Sequence, residues 1–441
     1  MSTASNRSMP SRLIQLIRGG GRSNEPITKE VKVINYGWIT VISSVILTLV
    51  GIYAIDLGLS RPDETGKMVM SVTAIKQMIF MFVGMVACGV IALPHYKLVT
   101  AFAWLLFFLC LGLLVFLLIP GVPKSLVNPV KGARSWINLG FTNFQPSEVM
   151  KIAFVLAVAQ YMRFRSEHRR FKGLIVPGII AAVPVGLITV QPDLGTASLF
   201  VPALFAMLIA AGARLRHLTL IVLCAAMAAP VGYQFMRPHQ KDRIDGLIKQ
   251  FQGDTVAQFD INFQATRAQR LIGAGQALGM SDETTRAMVQ YNALPEREND
   301  MIFAIVVARF GFVGGALLLL VYAVWVCGAL VVAGSCREPM GRLIAVGIPA
   351  FIATQVVINV GMNIGVVPII GITLPFLSAG GSSLITSWLM TGLIVNVALH
   401  RPKPPYRSSF EYADDDYGPD PLKPTKPYGR AIGFSGRAFT R

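Results

Sequence analysis

Between Tyr36 and Leu399 the sequence returns repeatedly to apolar runs long enough to cross a bilayer. A spanning helix needs about 20 mostly apolar residues. Within lipid its peptide groups must also find their hydrogen bonds inside the segment. We read such runs near 36–57, 74–93, 98–119, 147–162, 173–190, 195–212, 217–236, 301–334, 343–365 and 378–399. No block between them is large enough to fold alone. The expectation is an all-α polytopic membrane protein of about ten helices, with one membrane domain over 36–400. A basic tail, 1–35, precedes it, and a Pro-, Gly-, Asp- and Lys-rich tail, 401–441, follows and is expected to be disordered. The run from Met301 exceeds one crossing and is expected to tilt or to project beyond the bilayer.

Composition agrees with this reading. Charged residues are 14% of the chain, against about 25% in a typical soluble domain. The net charge of +17 raises the thought of nucleic acid, but its placement argues otherwise, because the basic residues sit in short loops between apolar runs. The five cysteines show no metal-ligand or disulfide spacing and read as small packing residues. His95, His168, His217, His239 and His400 are scattered and suggest no metal site.

Orientation can be checked for self-consistency. With the basic amino-terminal tail in the cytoplasm, ten crossings put Lys97, the Arg163–Lys172 loop, Arg214 with Arg216, the Arg337–Arg342 loop and the carboxy-terminal tail inside. Every densely basic short loop then lies on the cytoplasmic side, as the positive-inside rule requires. The outer side receives 58–73, 120–146, 191–194, the long 237–300 loop and 366–377.

These outer segments carry the unusual residues. Gly132-Ala-Arg-Ser-Trp-Ile-Asn-Leu-Gly leads to Gln145-Pro-Ser-Glu-Val-Met-Lys151, where Pro146 suits the first turn of a helix. Glu148 and Lys151 share a face there, either as a site pair or as a structural ion pair. Gln191-Pro-Asp-Leu-Gly-Thr196 is a tight turn in which Asp193 is a helix cap or a site carboxylate. Gly273, Gly275 and Gly279 lack the strand and the spacing of a dinucleotide fingerprint and read as a turn. Asp300 opens a membrane helix, where the dipole favours a carboxylate, as a cap or as a functional group. Two prolines and three glycines between Pro368 and Ser383 suggest a re-entrant loop lining a cavity, or a tight packing loop.

In this order, the Gly132–Gly140 and Gln145-Pro-Ser-Glu motifs, Gln191–Thr196, Leu294-Pro-Glu with Asp300-Met-Ile-Phe-Ala, and Gly371–Ser383 resemble the SEDS family of shape, elongation, division and sporulation proteins. The resemblance spans roughly 36–400. Gln240-Lys-Asp-Arg243 and Asn359–Pro368 look more RodA-like than FtsW-like. The resemblance implies a ten-helix SEDS fold with a long extracytoplasmic loop before helix eight. It also implies peptidoglycan glycosyltransferase activity on lipid II at the outer face of the bacterial cytoplasmic membrane, serving cell elongation and shape. The implied partners are a class B penicillin-binding protein and other proteins of the elongation complex. The family's essential carboxylate falls on Asp300. The sequence departs from the family at Glu298-Asn-Asp-Met301, at Ala308-Arg309, where two glutamates are usual, and at Ala379, where tyrosine is common.

Such a reaction inverts an α-linked donor into a β-1,4 polymer and needs a base, for which Asp300 is the candidate; positioned proton transfer contributes about 10²–10⁴-fold. The departing pyrophosphate needs positive charge. Arg134, Lys151, Arg243, Arg267, Arg270 and Arg297 are the outer cations, and a divalent cation, Mg2+ or Mn2+, could share the work. Trp136, Gln145, Glu148, Asp193, Ser378, Ser382 and Ser383 complete the candidate substrate-binding set. The rival readings are a lipid II flippase, which needs polar residues open to both faces, and a non-catalytic activator of a penicillin-binding protein.

Overall fold

The computed structural model describes residues 35–62, 67–123, 125–127, 134–140, 142–163, 165, 170–234, 236, 238–252 and 263–400. Of the expected tails, 1–35 and 401–441, all but Asn35 lie outside the described residues, as do Gly132, Ala133 and His168.

The expected helices form. They are α1 (Gly37–Leu59), α2 (Val72–Ala92), the short α3 (Tyr96–Ala101), α4 (Ala103–Leu118), α5 (Pro146–Met162) and α6 (Ile175–Val190). After these come α7 (Leu194–Ser198), α8 (Phe200–Ala211) and α9 (Leu215–Gln234). Three helices of the long connection follow: α10 (Pro238–Phe251), α11 (Phe263–Ala274) and α12 (Asp282–Tyr291). The chain then runs through α13 (Ile302–Ser335), α14 (Pro339–Ile364) and α15 (Gly381–Leu399). Eight spans are long and apolar enough to cross a membrane, with α7 and α8 together making one of them. Among the described residues the apolar α4 is shorter, and α5 carries the buried Glu148 and Lys151.

Local signals set the starts. Ser71 caps α2 by accepting from the Ala74 amide at 3.2 Å, and prolines occupy the first turns of α5 and α14, where a missing N–H costs nothing. The middle of the bundle is α15 against α2 and α1, and α13 between α1 and α14. Trp325, Trp388 and Phe376 fill it, with the Phe376 ring centroid 5.9 and 6.2 Å from the two indoles. By contrast α9 buries only Leu218.

Three features add detail to the expected fold. The long run from Met301, expected to tilt or to project beyond the bilayer, is kinked. Gly311 breaks it with φ 68° and ψ −170°, leaving a nine-residue half-helix, 302–310, before the crossing. A Cβ at Gly311 would lie 2.3 Å from the Ala277 carbonyl oxygen, so only glycine fits. Apart from Arg309, apolar residues continue across the break. Periodicity therefore does not reveal the hinge. The 237–300 connection is not a plain loop but carries α10, α11 and α12. The helical fold also includes two tiny antiparallel hairpins, β1 (Arg61–Pro62) with β2 (Met68–Val69), and β3 (Ile137–Asn138) with β4 (Asn143–Phe144).

The two ends of the bundle differ. At one end Glu338 accepts from the Tyr96 hydroxyl and pairs with Lys97 at 3.2 Å and Arg163 at 3.0 Å, tying three connections together. Two histidines expected to be scattered meet there, the rings of His95 and His400 lying 5.0 Å apart. The opposite end gathers the polar motifs.

Candidate functional site

Asp300 sits just before the half-helix. The cap position itself is Met301, which makes no side-chain cap bond. The Asp300 carboxylate lies over Gly371, where a Cβ would be 3.7 Å from Oδ2. Its backbone is held firmly. Asn359 and Asn363, one turn apart on α14, donate to the Asp300 carbonyl at 2.8 and 2.9 Å. Asn359 also donates to the Ile372 carbonyl at 2.7 Å, joining the half-helix and the 366–380 segment to one side chain. Beside this, the Ser378 hydroxyl donates to the Asn299 carbonyl at 2.6 Å and accepts from the Leu374 amide at 2.7 Å. Gln77 on α2 donates to the Ser378 carbonyl and accepts from the Gly380 amide. Phe376, buried with φ 67°, adopts a conformation that costs a non-glycine residue about 1–3 kcal/mol. The buried Tyr322 hydroxyl, bonded to the Pro375 carbonyl, helps fix it.

A second polar line runs through the bundle toward this segment. Lys151 pairs with Glu148 at 2.8 Å, with side chains 2% and 5% exposed, and donates to the Gln355 amide oxygen at 3.3 Å. Gln355 in turn donates to the Thr373 carbonyl at 3.3 Å, and the Thr373 hydroxyl meets Ser383 at 3.3 Å. Ser382 accepts from the Gln145 amide and donates to the Asn143 carbonyl. Asp193 is a helix cap that also binds a second side chain. One oxygen caps α7 through the Thr196 amide at 3.0 Å, and the other accepts from Gln145 Nε2 at 3.1 Å. Burial pushes its carboxyl above the ordinary value, against the opposing bond from Thr196. Gly195 passes close under the 366–380 segment, since a Cβ there would lie 2.7 Å from the Ile370 carbonyl oxygen.

The structure thus brings Gln145, Glu148, Lys151, Asp193, Ser378, Ser382, Ser383 and Asp300 to one end of the bundle, around the 366–380 segment. Arg134, Trp136 and Arg297 are half-buried, while Arg243 on α10 lines a shallow groove with Gln250, Pro368 and Ile369. Arg267 donates to Asn292 Oδ1 at 3.2 Å and lies over the Phe263 ring, and Arg270 is exposed. Sequence reasoning missed Gln77, Gln355 and the roles of Asn359 and Asn363. A signal existed for three of them. Positions 355, 359 and 363 recur every four residues on one face of an otherwise apolar helix, a spacing that aligns side chains. Among the described residues no three His, Cys, Asp or Glu side chains come together as a metal cage. A divalent cation therefore does not fit here as an all-protein site, and no chemical step is routed through one.

The chain is similar to known proteins of one family. A family model for FtsW, RodA and SpoVE, described as cell cycle protein, matches residues 35–403. Stage V sporulation protein E of Bacillus subtilis (strain 168) is 35% identical over 325 residues, 73% of this chain and 86% of that protein. A probable peptidoglycan glycosyltransferase FtsW of Trichlorobacter lovleyi is 31% identical over 325 residues, 73% of this chain and 82% of that one. Among solved structures, a chain of a peptidoglycan synthase complex that coordinates polymerization and crosslinking matches with a TM-score of 0.68 at 26% identity. That match covers 82% of this chain and 97% of that one. The rod-shape-determining protein RodA of Thermus thermophilus shares the fold, with a TM-score of 0.60 at 22% identity over 86% and 100% of the two chains.

Proposed function

Because this chain belongs to the family of FtsW, RodA and SpoVE, the SEDS proteins, we propose that it polymerises lipid II into β-1,4 glycan strands with Asp300 as general base. It is a peptidoglycan glycosyltransferase of the bacterial inner membrane. The observation that carries the base assignment is the restraint on Asp300, whose carbonyl takes bonds from both Asn359 and Asn363 while its carboxylate faces the 366–380 segment.

In this mechanism Asp300 takes the proton from the acceptor sugar's 4-hydroxyl as that oxygen attacks the anomeric carbon of the donor. The bond to undecaprenyl pyrophosphate breaks with inversion. Pyrophosphate leaves readily and needs neutralisation more than protonation, which arginine supplies by bidentate contacts. Arg243 beside Pro368, together with Arg134 and Arg297, are the candidates. Lys151 acts on the site through Gln355 and Thr373.

The lipid tails lie between helices and the sugars at the polar end, which is taken as the outer face because the other end holds the basic short loops. That puts both termini in the cytoplasm. The concentration of polar residues at one end, with Glu338 binding Tyr96, Lys97 and Arg163 together at the other, favours an enzyme over a flippase. Gln240–Arg243 and Asn359–Pro368 favour a role in cell elongation beside a class B penicillin-binding protein and other elongation proteins. The test is polymerisation of purified lipid II by the chain with a class B partner. Glycan strands support the reading. Their absence beside an active control enzyme overturns it in favour of a flippase or a non-catalytic activator.

A further inference from the structure

We infer that Arg309, Asp282 and Tyr53 form a clamp that positions Asp300, a reading that rests on the glycosyltransferase assignment above. The half-helix 302–310 has Asp300 at one end and Arg309 at the other. Arg309 Nε donates to Asp282 on α12 and to the Tyr53 hydroxyl on α1 at 3.0 Å, and Tyr53 donates to Asp282 at 2.7 Å. Each of the three side chains therefore bonds both of the others. Arg309 Nη1 also donates to the Met280 carbonyl at 3.0 Å, and its guanidinium lies 5.0 Å from the Phe310 ring centroid.

The resemblance described above leads one to expect acidic residues at positions 308 and 309. Here position 308 is the fully buried Ala308, and position 309 is basic and meets an acid across the gap, at Asp282. The sign is inverted and a partner is present. A helix of nine residues is marginal by itself, so its direction is set where its ends are held. Asn359 and Asn363 hold the Asp300 end. The clamp holds the other, together with backbone bonds from Met280 to Ala308 at 3.1 Å and from Phe312 to Gln276 at 2.8 Å. Next along α12, Arg286 donates to Ser60 at 3.1 Å, so α12 is itself anchored to the end of α1. Release of Arg309 frees the far end of the half-helix to swing, and the rotation re-aims the Asp300 carboxylate about its Asn-held carbonyl.

The test compares Arg309→Ala, Asp282→Asn and the double variant Asp282→Arg with Arg309→Asp, each as the full chain with its class B partner and lipid II. A misplacement of about 1 Å can cost about 10²-fold, so kcat should fall about 10- to 100-fold in Arg309→Ala with KM within about twofold. The double swap restores opposite charges across the gap but not the bond to the Met280 carbonyl, so it should recover part of the loss. Loss of activity that tracks the folded fraction, a loss confined to KM, or a double swap no better than Arg309→Ala overturns the clamp. If Arg309→Ala does not fold, Tyr53→Phe and Asp282→Asn carry the test. Reduced kcat per folded, partner-bound molecule supports the proposal, and unchanged kcat overturns it. Asp300→Ala run alongside separates the two readings. Activity there overturns the base assignment, whereas an inert Asp300→Ala beside an unimpaired Arg309→Ala overturns the clamp alone.

Discussion

Asn359 Nδ2 lies 2.8 Å from the Asp300 carbonyl oxygen and 2.7 Å from that of Ile372, so one buried amide fixes both walls of the site. Leaving buried carbonyls without a donor costs about 1–3 kcal/mol each. Asn359→Leu should therefore lower thermal stability by a few degrees and reduce kcat more than KM. Asn363→Leu should do less, because Asn359 still reaches Asp300. Steady-state polymerisation and a melting curve on each variant check the ranking, and equal effects would count against it.

The Glu148–Lys151 pair is buried, and removing one charge from such a pair typically destabilises by about 3–5 kcal/mol. Replacing both with apolar residues of similar volume is far less costly. Lys151→Met should thus unfold readily, while Glu148→Leu with Lys151→Met should fold. If the pair also serves the site through Gln355, the double variant folds but polymerises poorly. A folded and fully active double variant would assign the pair to structure alone.

Gly311→Ala forces a Cβ into the Ala277 carbonyl and a left-handed backbone on alanine. The change should destabilise by more than about 1 kcal/mol, since both the conformation and the contact oppose it. Protease sensitivity of the 275–280 turn, which bonds back to Phe312 and Val313, should rise in parallel.

Asp282 gives a pH dependence of defined sign. Its carboxyl is held below the ordinary value of 3.8, first by the Tyr53 hydroxyl and then by Arg309. The stabilisation is present above the unfolded value and is lost as pH falls through the lower, folded one. Melting curves taken from about pH 6 to about pH 3 should show wild type losing stability faster on acidification than Asp282→Asn. Parallel curves would contradict this.

Much of this was legible in the sequence, for identifiable reasons. Helices such as α1, α2 and α15 declare themselves because a bilayer admits little else over 20 apolar residues. Asp300, Glu148 and Asp193 stood out because charge is rare at such depth. The pairing of Asp193 with Gln145, 48 residues apart, was not legible, because it follows from how α5 and α7 meet. The break at Gly311 was hidden because, Arg309 apart, the residues on both sides are apolar. The clamp was hidden because Tyr53, Asp282 and Arg309 are ordinary residues until three distant segments converge.

The most direct test of the central claim is the turnover of Asp300→Asn, which keeps the side-chain shape and removes the base. It is measured on lipid II with the class B partner bound. If Asp300 takes the acceptor's proton, kcat should fall by about 10²–10⁴-fold while the protein stays folded and partner-bound. Turnover within a few-fold of wild type would remove Asp300 from the chemistry.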